Sequence, residues 1–169
     1  MSVSSAVTLQ PAAIVYREEQ YFDWRVYTLI AFLGAVTGIG LVGGSIWSIE
    51  FALGLVIGLA FLMLVVLFLL YMTTEVTPTD VRVWFGWAPT YRRIVSIDSI
   101  RSIDVVTYRP IAEYGFWGIR SGRDGEKALT ARGNRGVRLE LTDGSRLLIG
   151  SQRAEQLARA LDCALRREV

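Results

Sequence analysis

One apolar stretch constrains this chain more than any other feature. It covers residues 26–72, and Glu50 is its only formally charged residue. A membrane-spanning α-helix takes about 20 apolar residues, so a stretch of this length, with polar residues around Glu50, predicts two antiparallel helices. The sequence therefore predicts a transmembrane hairpin whose helices cover residues 26–47 and 51–72.

This hairpin divides the chain into three parts. Residues 1–25 form an N-terminal tail with an interfacial segment, residues 26–72 form the hairpin, and residues 73–169 are long enough for a small domain with its own core. Arginines flank both ends of the hairpin and are absent from its connection. Since Lys and Arg mark the cytoplasmic side of a membrane, we expect a multi-pass protein of the bacterial inner (cytoplasmic) membrane with both termini in the cytoplasm.

Glycines in the hairpin follow a regular spacing. Small residues four positions apart let helix backbones approach closely in lipid. They serve either to seal the hairpin on itself or to receive a helix from another copy or another protein, and the sequence leaves both open. The expected helix-packing positions are Gly34, Gly38, Gly40, Gly44, Gly54 and Gly58.

Aromatic residues gather at the ends of the predicted helices. Amphipathic rings favour the boundary between lipid and water, which predicts a membrane-interface belt. Docking of a partner before the first helix is the alternative. The residues concerned are Tyr21, Phe22, Trp24, Trp47 and Tyr71.

The chain lacks the side chains that most catalytic and metal sites need. It contains no histidine, and Cys163 is its only cysteine. These absences exclude histidine-based acid–base chemistry, an ordinary zinc site and an intramolecular disulfide. No phosphate-binding glycine loop or nucleophile elbow is present either. The sequence predicts a protein that is not an enzyme, with no catalytic residue, no metal site and no cofactor.

After residue 72 the hydrophobic period changes to two. Val81, Val83, Phe85 and Trp87 share one face, and Arg82 and Trp84 share the other, which predicts a strand with one buried face. Similar short segments continue to residue 149, and residues 152–166 return to helical spacing. The pattern predicts about seven antiparallel strands in an all-β (α+β) barrel that is closed by a C-terminal helix.

Several segments of the chain carry a family resemblance. Residues 97–100, 114–120, 132–137 and 141–153, with the lead-in at 16–20, resemble the bacterial pleckstrin-homology-like families found on small membrane proteins. The resemblance spans residues 16–165 and implies a pleckstrin-homology-like barrel on a membrane hairpin. Because this superfold serves many roles, the resemblance alone assigns no function.

Five residues of the predicted domain are candidates for contact with a partner or with lipid. Trp84 lies on the outward face of its strand, and Trp117 lies in a glycine-bounded segment. Aromatic and arginine side chains are typical of protein interface cores, and basic residues near a membrane attract anionic lipid. The full set is Trp84, Trp117, Arg132, Arg135 and Arg138.

The sequence leaves three functional hypotheses. The first is a non-enzymatic, membrane-anchored domain that acts as a structural or accessory subunit, scaffold or assembly factor of a larger membrane protein complex. The second is an accessory subunit or assembly factor of a photosynthetic reaction-centre complex. The third is a peripheral sensor of anionic lipid. Expected partners are membrane lipids and other integral membrane proteins or further copies of the chain, with no nucleic acid.

Overall fold

The computed structural model describes residues 13–42, 49–87, 91–122 and 124–167. A short 3-10 turn at Ile97–Ser99 joins the fourth strand to the fifth. In chain order the described elements are β1 (Tyr16–Tyr21), α1 (Trp24–Val42), α2 (Ile49–Leu69), β2 (Tyr71–Val76), β3 (Asp80–Phe85), β4 (Tyr91–Ser96), β5 (Ile100–Thr107), α3 (Pro110–Tyr114), β6 (Gly118–Ser121), β7 (Lys127–Thr130), β8 (Arg135–Leu141), β9 (Arg146–Gly150) and α4 (Ala154–Arg167).

The strands form two sheets rather than a closed barrel. The first sheet has the order β1-β2-β3-β4, and the second has the order β5-β8-β9-β7-β6. All pairs are antiparallel except β7 and β9, which run parallel. The prediction of an α+β fold with a C-terminal helix is confirmed. The prediction of about seven strands in a closed antiparallel barrel is wrong, because β4 and β5 end separate sheets and the described chain has nine strands.

Alternation along each strand decides which side chains enter the core. In β3, Val81, Val83 and Phe85 are buried, while Arg82 and Trp84 face outward and are half-buried. This arrangement follows from the two-residue period of a strand.

A close backbone approach fixes the pairing of β8 and β9. A Cβ atom at Gly136 would come within 2.5 Å of the Ile149 carbonyl oxygen, which no side chain tolerates. Glycine at this position therefore lets β8 and β9 pair closely.

The main core lies where α4 packs against the two sheets. Ala154, Leu157, Leu161 and Ala164 are buried along one stripe of α4, and the helix contacts β2, β5 and β8. The predicted amphipathic helix at 152–166 is thus confirmed, with its buried side chains at helical spacing.

A second, smaller core covers the other face of the second sheet. It consists of Tyr108, Tyr114, Ala128 and Leu148, with Val106 packed against it. Both faces of this sheet are therefore covered, one by α4 and the other by the segment around α3.

The helix pair α1–α2 is inserted between two adjacent strands. β1, which was predicted to be part of an N-terminal tail, pairs with β2 in a register that places Tyr21 opposite Tyr71. The chain leaves the sheet after β1, forms the two helices and returns directly into β2. The helix pair is therefore an insertion in a β-hairpin.

The glycines that were predicted to pack helices together have different surroundings in the structure. A Cβ at Gly34 or Gly38 would lie 3.8 or 3.6 Å from the side chain of Leu59, so both glycines face α2. Gly54 and Gly58 have no described heavy atom within 4 Å of such a Cβ. The surroundings of Gly40, and Gly44 altogether, lie outside the described residues.

Within the part of the chain that the structure describes, no helix has both the length and the apolarity needed to cross a membrane. The predictions of a transmembrane hairpin, of a membrane-anchored family member and of a multi-pass inner-membrane location are therefore wrong. One physical reason lies at the hairpin's end. Tyr71 and Met72 were assigned to the second helix, but they belong to β2 and pair with Tyr21 and Gln20.

The aromatic residues predicted at a membrane interface lie in different environments. Phe22 is buried in the main core, and Trp24 is exposed at the start of α1. The rings of Tyr21 and Tyr71 contact each other across β1 and β2 with centroids 5.1 Å apart. Trp47 lies outside the described residues. The β1–β2 pairing, rather than a common membrane level, brings the two tyrosines together.

Candidate partner-binding site

The outer face of the first sheet carries a cavity of about 320 Å³ whose lining includes two tryptophans. We call it the tryptophan groove, and it is lined by Glu75, Trp84, Trp87 and Arg92. Three neighbouring strands, β2, β3 and β4, bring these residues together.

The strand register explains the position of Trp84. It faces outward because its neighbours Val83 and Phe85 enter the core. Across β3 and β4 it stands opposite Arg92, and across β2 and β3 it stands opposite Thr73. The rigid sheet thus presents an indole ring beside a guanidinium group.

Trp87 forms the end of the groove. It lies two residues after the end of β3 and is 74% exposed, the highest exposed fraction among the large hydrophobic residues that the structure describes. Its ring contacts Phe68 of α2 with centroids 5.1 Å apart. Trp87 therefore extends the groove toward the helix pair.

The charges around the groove are only partly compensated. Glu75 forms an ion pair of 3.0 Å with Arg17 of β1, and Arg82 pairs with Asp80 and lowers the pKa of that carboxyl group. Arg92 forms no ion pair with any described residue. The groove thus contains two indole rings and one cation that has no ion-pair partner among the described residues.

The structure separates the two predicted tryptophan contacts. Trp84 lies in the groove, whereas Trp117 is 6% exposed and belongs to the main core. The indole N–H of Trp117 donates a hydrogen bond of 3.0 Å to the Gly133 carbonyl oxygen. A partner contact through Trp117 stays a prediction, and Trp84 is the better placed of the two.

The three arginines expected to act together do not form one surface. Arg135 pairs with Glu155 of α4. Arg138 lies on the other face of β8 and pairs with Glu126 at 2.6 Å. Arg132 is exposed in the loop before β8. Two of the three guanidinium groups therefore have carboxylate partners within the fold.

A buried network around Glu126 was not recognised in the sequence. The Tyr114 hydroxyl donates to the Glu126 carboxylate at 2.5 Å, and Arg138 donates to the same carboxylate. Burial, and then the bond to Glu126, raises the pKa of Tyr114 to about 12. The same carboxylate raises the pKa of Arg138. Because every partner is satisfied, the network ties α3 to β7 and β8 rather than offering a free acid or base.

A second buried carboxylate links β1 to the start of α4. Glu18 is 3% exposed. Its oxygens accept hydrogen bonds from the Tyr16 hydroxyl at 2.8 Å, the Ser151 hydroxyl at 2.5 Å and the backbone N–H of Gln152 at 3.0 Å. A backbone N–H before a helix needs such an acceptor. The sequence signal was present in the polar lead-in at 16–20, but it has meaning only once β1 lies beside α4.

The remaining polar groups do not form a metal centre. No cluster of three His, Cys, Asp or Glu side chains suited to a metal ion occurs among the residues described. Cys163 is exposed on α4.

No protein-family model matches this chain, and no curated protein matches it.

Proposed function

We propose that this chain is a non-enzymatic protein-interaction module that serves as an accessory subunit or scaffold of a larger complex. The observation that carries the proposal is the tryptophan groove, where Trp84 and Trp87 lie beside Arg92, which forms no ion pair with a described residue. Tryptophan and arginine are the residue types most enriched at the energetic centres of protein interfaces.

The indole rings supply the apolar part of the proposed contact. An aromatic side chain of this kind buries roughly 150–250 Å² when it is covered. Trp87 is largely exposed and Trp84 is half-buried, so covering them removes apolar surface from water. Because Trp84 is held by β3, little conformational entropy is lost on binding.

Arg92 supplies the polar part. Its guanidinium group is planar and binds carboxylates through two parallel hydrogen bonds. The neighbouring Glu75 is already paired with Arg17. The groove therefore suits a protein segment with an acidic side chain next to an apolar one.

Two further observations support this choice over the alternatives. The buried carboxylates Glu18 and Glu126 are each hydrogen-bonded to several donors, which disfavours an acid–base role. A lipid sensor based on Arg132, Arg135 and Arg138 is disfavoured because these residues face different directions.

We also propose a pleckstrin-homology-like arrangement as the finer fold assignment. The basis for it is the presence of two sheets with a C-terminal helix.

Capture of the native complex tests the proposal. A tagged full-length chain is expressed at its native level, and copurifying proteins are quantified by mass spectrometry. We expect at least one partner in stoichiometric amount, and we expect the double variant W84A/W87A and the charge reversal Arg92→Glu to lose it.

The matched control is Trp24→Ala, which removes an exposed tryptophan outside the groove. This variant is expected to retain the partner. Capture that is unaffected by the groove variants, or a chain with no stoichiometric partner, would overturn the proposed function. Circular dichroism of each variant distinguishes lost binding from lost folding.

A further inference from the structure

A smaller cavity lies at the opposite side of β4 from the tryptophan groove. Its volume is about 230 Å³, and it is formed by β4, by the start of β7 and by the turn between β8 and β9. We call it the basic cavity. Its charged and polar lining side chains are Arg93, Lys127, Asp143, Ser145 and Arg146.

Arg93 is the unusual residue of this cavity. It lies on the core-facing side of β4, between the half-buried Tyr91 and the buried Val95. Its Nε atom is buried and has no hydrogen-bond partner among the described residues. Buried polar groups in folded proteins are nearly always paired, so Arg93 keeps hydrogen-bonding capacity that the described residues do not use.

Two more cations converge on the same cavity from other strands. Lys127 begins β7 and Arg146 begins β9, and both are exposed. Neither forms an ion pair with a described residue. Three positive charges from three strands therefore surround one space.

Asp143 is the single acidic side chain in the lining. Its carboxylate accepts a hydrogen bond of 2.8 Å from the backbone N–H of Ser145, within the turn between β8 and β9. Hydrogen bonding to Ser145, with a smaller contribution from Arg93, lowers the pKa of Asp143. Because this carboxylate carries a single negative charge, it can compensate only one of the three cations.

We propose that the basic cavity binds a phosphate monoester. Donors that converge from several directions suit a tetrahedral dianion with three free oxygens better than a planar carboxylate with two. The cavity has room for the phosphoryl group and a small substituent. Arg93 would bind through its guanidinium group, and Lys127 and Arg146 would supply the remaining positive charge.

This site is separate from the proposed protein contact. Arg92 faces the tryptophan groove opposite Trp84, while Arg93 faces inward, as expected for adjacent residues of a strand. The phosphate proposal therefore does not depend on the proposed function.

Titration of the purified full-length chain tests the proposal. Binding is measured by calorimetry and by thermal shift with glycerol 3-phosphate, inorganic phosphate and acetate, and by flotation with vesicles that contain phosphatidic acid. We expect glycerol 3-phosphate to bind and acetate to fail. Binding to the vesicles alone would assign the phosphate to a lipid headgroup, whereas binding of the soluble ester would assign it to a free metabolite.

Charge-neutralising variants locate the site. Arg146→Gln and Lys127→Gln remove exposed cations and should each weaken phosphate-ester binding about tenfold, as expected for the loss of one charge-assisted interaction. Arg93→Gln should weaken it at least as much, and its unfolding curve shows whether the core survives. Arg101→Gln makes the same change of net charge on an exposed residue outside the cavity and should leave binding unchanged.

Two results would overturn the proposal. One is the absence of binding of any phosphate probe to the folded chain. The other is an equal loss of binding in Arg101→Gln and Arg146→Gln, which would mean that net charge rather than the cavity attracts the anion.

Discussion

The helix pair α1–α2 and the C-terminal helix α4 place their apolar side chains in opposite ways. Leu157 and Leu161 of α4 are fully buried, whereas Phe32 of α1 and Ile57 of α2 are 64% and 68% exposed. In α4 the apolar residues recur on one stripe, so one contact buries them all. In α1 and α2 they occur all round, and the described contact between the two helices includes Gly34 and Gly38 against Leu59.

This difference shows that hydrophobic content alone does not decide where a segment is buried. The two-sheet body, by which we mean β1–β9 with α3 and α4, gains its core from alternating strands and one amphipathic helix. The helix pair joins that body through the hydrogen-bonded β1 and β2 and through Phe22 and Val26, which lie in the main core. The comparison predicts that the body and the helix pair respond very differently to similar changes.

The largest contrast should come from the same substitution in each region. Leu161→Ala removes a fully buried side chain from α4 and should lower the free energy of unfolding by about 3 kcal/mol, because it leaves a cavity. Leu62→Ala changes a 54% exposed residue of α2 and should change it by less than about 0.5 kcal/mol. Urea unfolding followed by near-UV circular dichroism measures both, and similar losses in both variants would contradict the comparison.

The next contrast lies within β1. Glu18→Ala leaves the Ser151 hydroxyl and the Gln152 N–H without their acceptor and should cost about 2 kcal/mol of unfolding free energy. Glu19→Ala removes an adjacent carboxylate whose described ion pair, with Arg17, is exposed, and should cost about 0.5 kcal/mol or less. An equal fall of the melting temperature in the two variants would show that the bonds from Glu18 to the start of α4 do not stabilise the fold.

Alkaline pH should act on the two-sheet body. Burial raises the pKa of Tyr16, Tyr71 and Tyr114 to about 12, above the ordinary tyrosine value of about 10. The folded state therefore favours the neutral phenols. Their contribution to stability is complete below about pH 10 and is lost as the pH rises through about 12. The free energy of unfolding should therefore fall between about pH 10 and about pH 12.

Tyr114→Phe sharpens this pH prediction. It should cost about 1 kcal/mol near neutrality because the bond to Glu126 is lost. It should also reduce the loss of stability on going to alkaline pH, since one raised phenol is gone. The free energy of unfolding is measured against pH for the variant and the parent. A constant difference between the two at all pH values would contradict the raised pKa of Tyr114.

A small loss of stability should follow even the removal of the whole helix pair. Joining Asp23 to Leu70 through a single glycine removes the helix pair and leaves a short hairpin loop between Tyr21 and Tyr71, which are already opposite each other. The body should remain folded and lose about 1 kcal/mol, because the lost burial of Val26 is partly offset by the smaller entropy cost of closing a short loop. Amide hydrogen exchange checks whether β1 and β2 keep their protection, and loss of that protection would show that the helix pair is needed for the sheet.

The strands after residue 72 could be predicted because their signals are local. The alternation of Val81, Val83 and Phe85 and the turn at Asp143 and Gly144 belong to single segments, and the structure has β3 and the β8–β9 hairpin there. β1 could not be predicted in this way. Its partner strand β2 begins about 50 residues later, and its buried residues are the polar Glu18 and Gln20, which hydrophobic periodicity does not detect.

The candidate sites divide along the same line. Trp84 was expected to face outward and does so, because strand alternation alone fixes its direction. Its neighbours in the groove come from β2, from β4 and from the end of β3, so the groove itself required the sheet register. Spacing along the sequence suggested that Arg132, Arg135 and Arg138 act together, yet residues three apart on a strand lie on opposite faces. The basic cavity likewise joins residues that are distant in sequence.

The sequence by itself determined the periodic elements of this protein, since the spacing of apolar side chains sets strand and helix directly. It also determined that histidine chemistry and disulfides are absent. Only the tertiary structure decided that β1 belongs to the first sheet, that the strands form two sheets rather than a barrel, and which polar groups are paired or left unpaired. Those outcomes depend on contacts between distant segments, and such contacts exist only after the chain has folded.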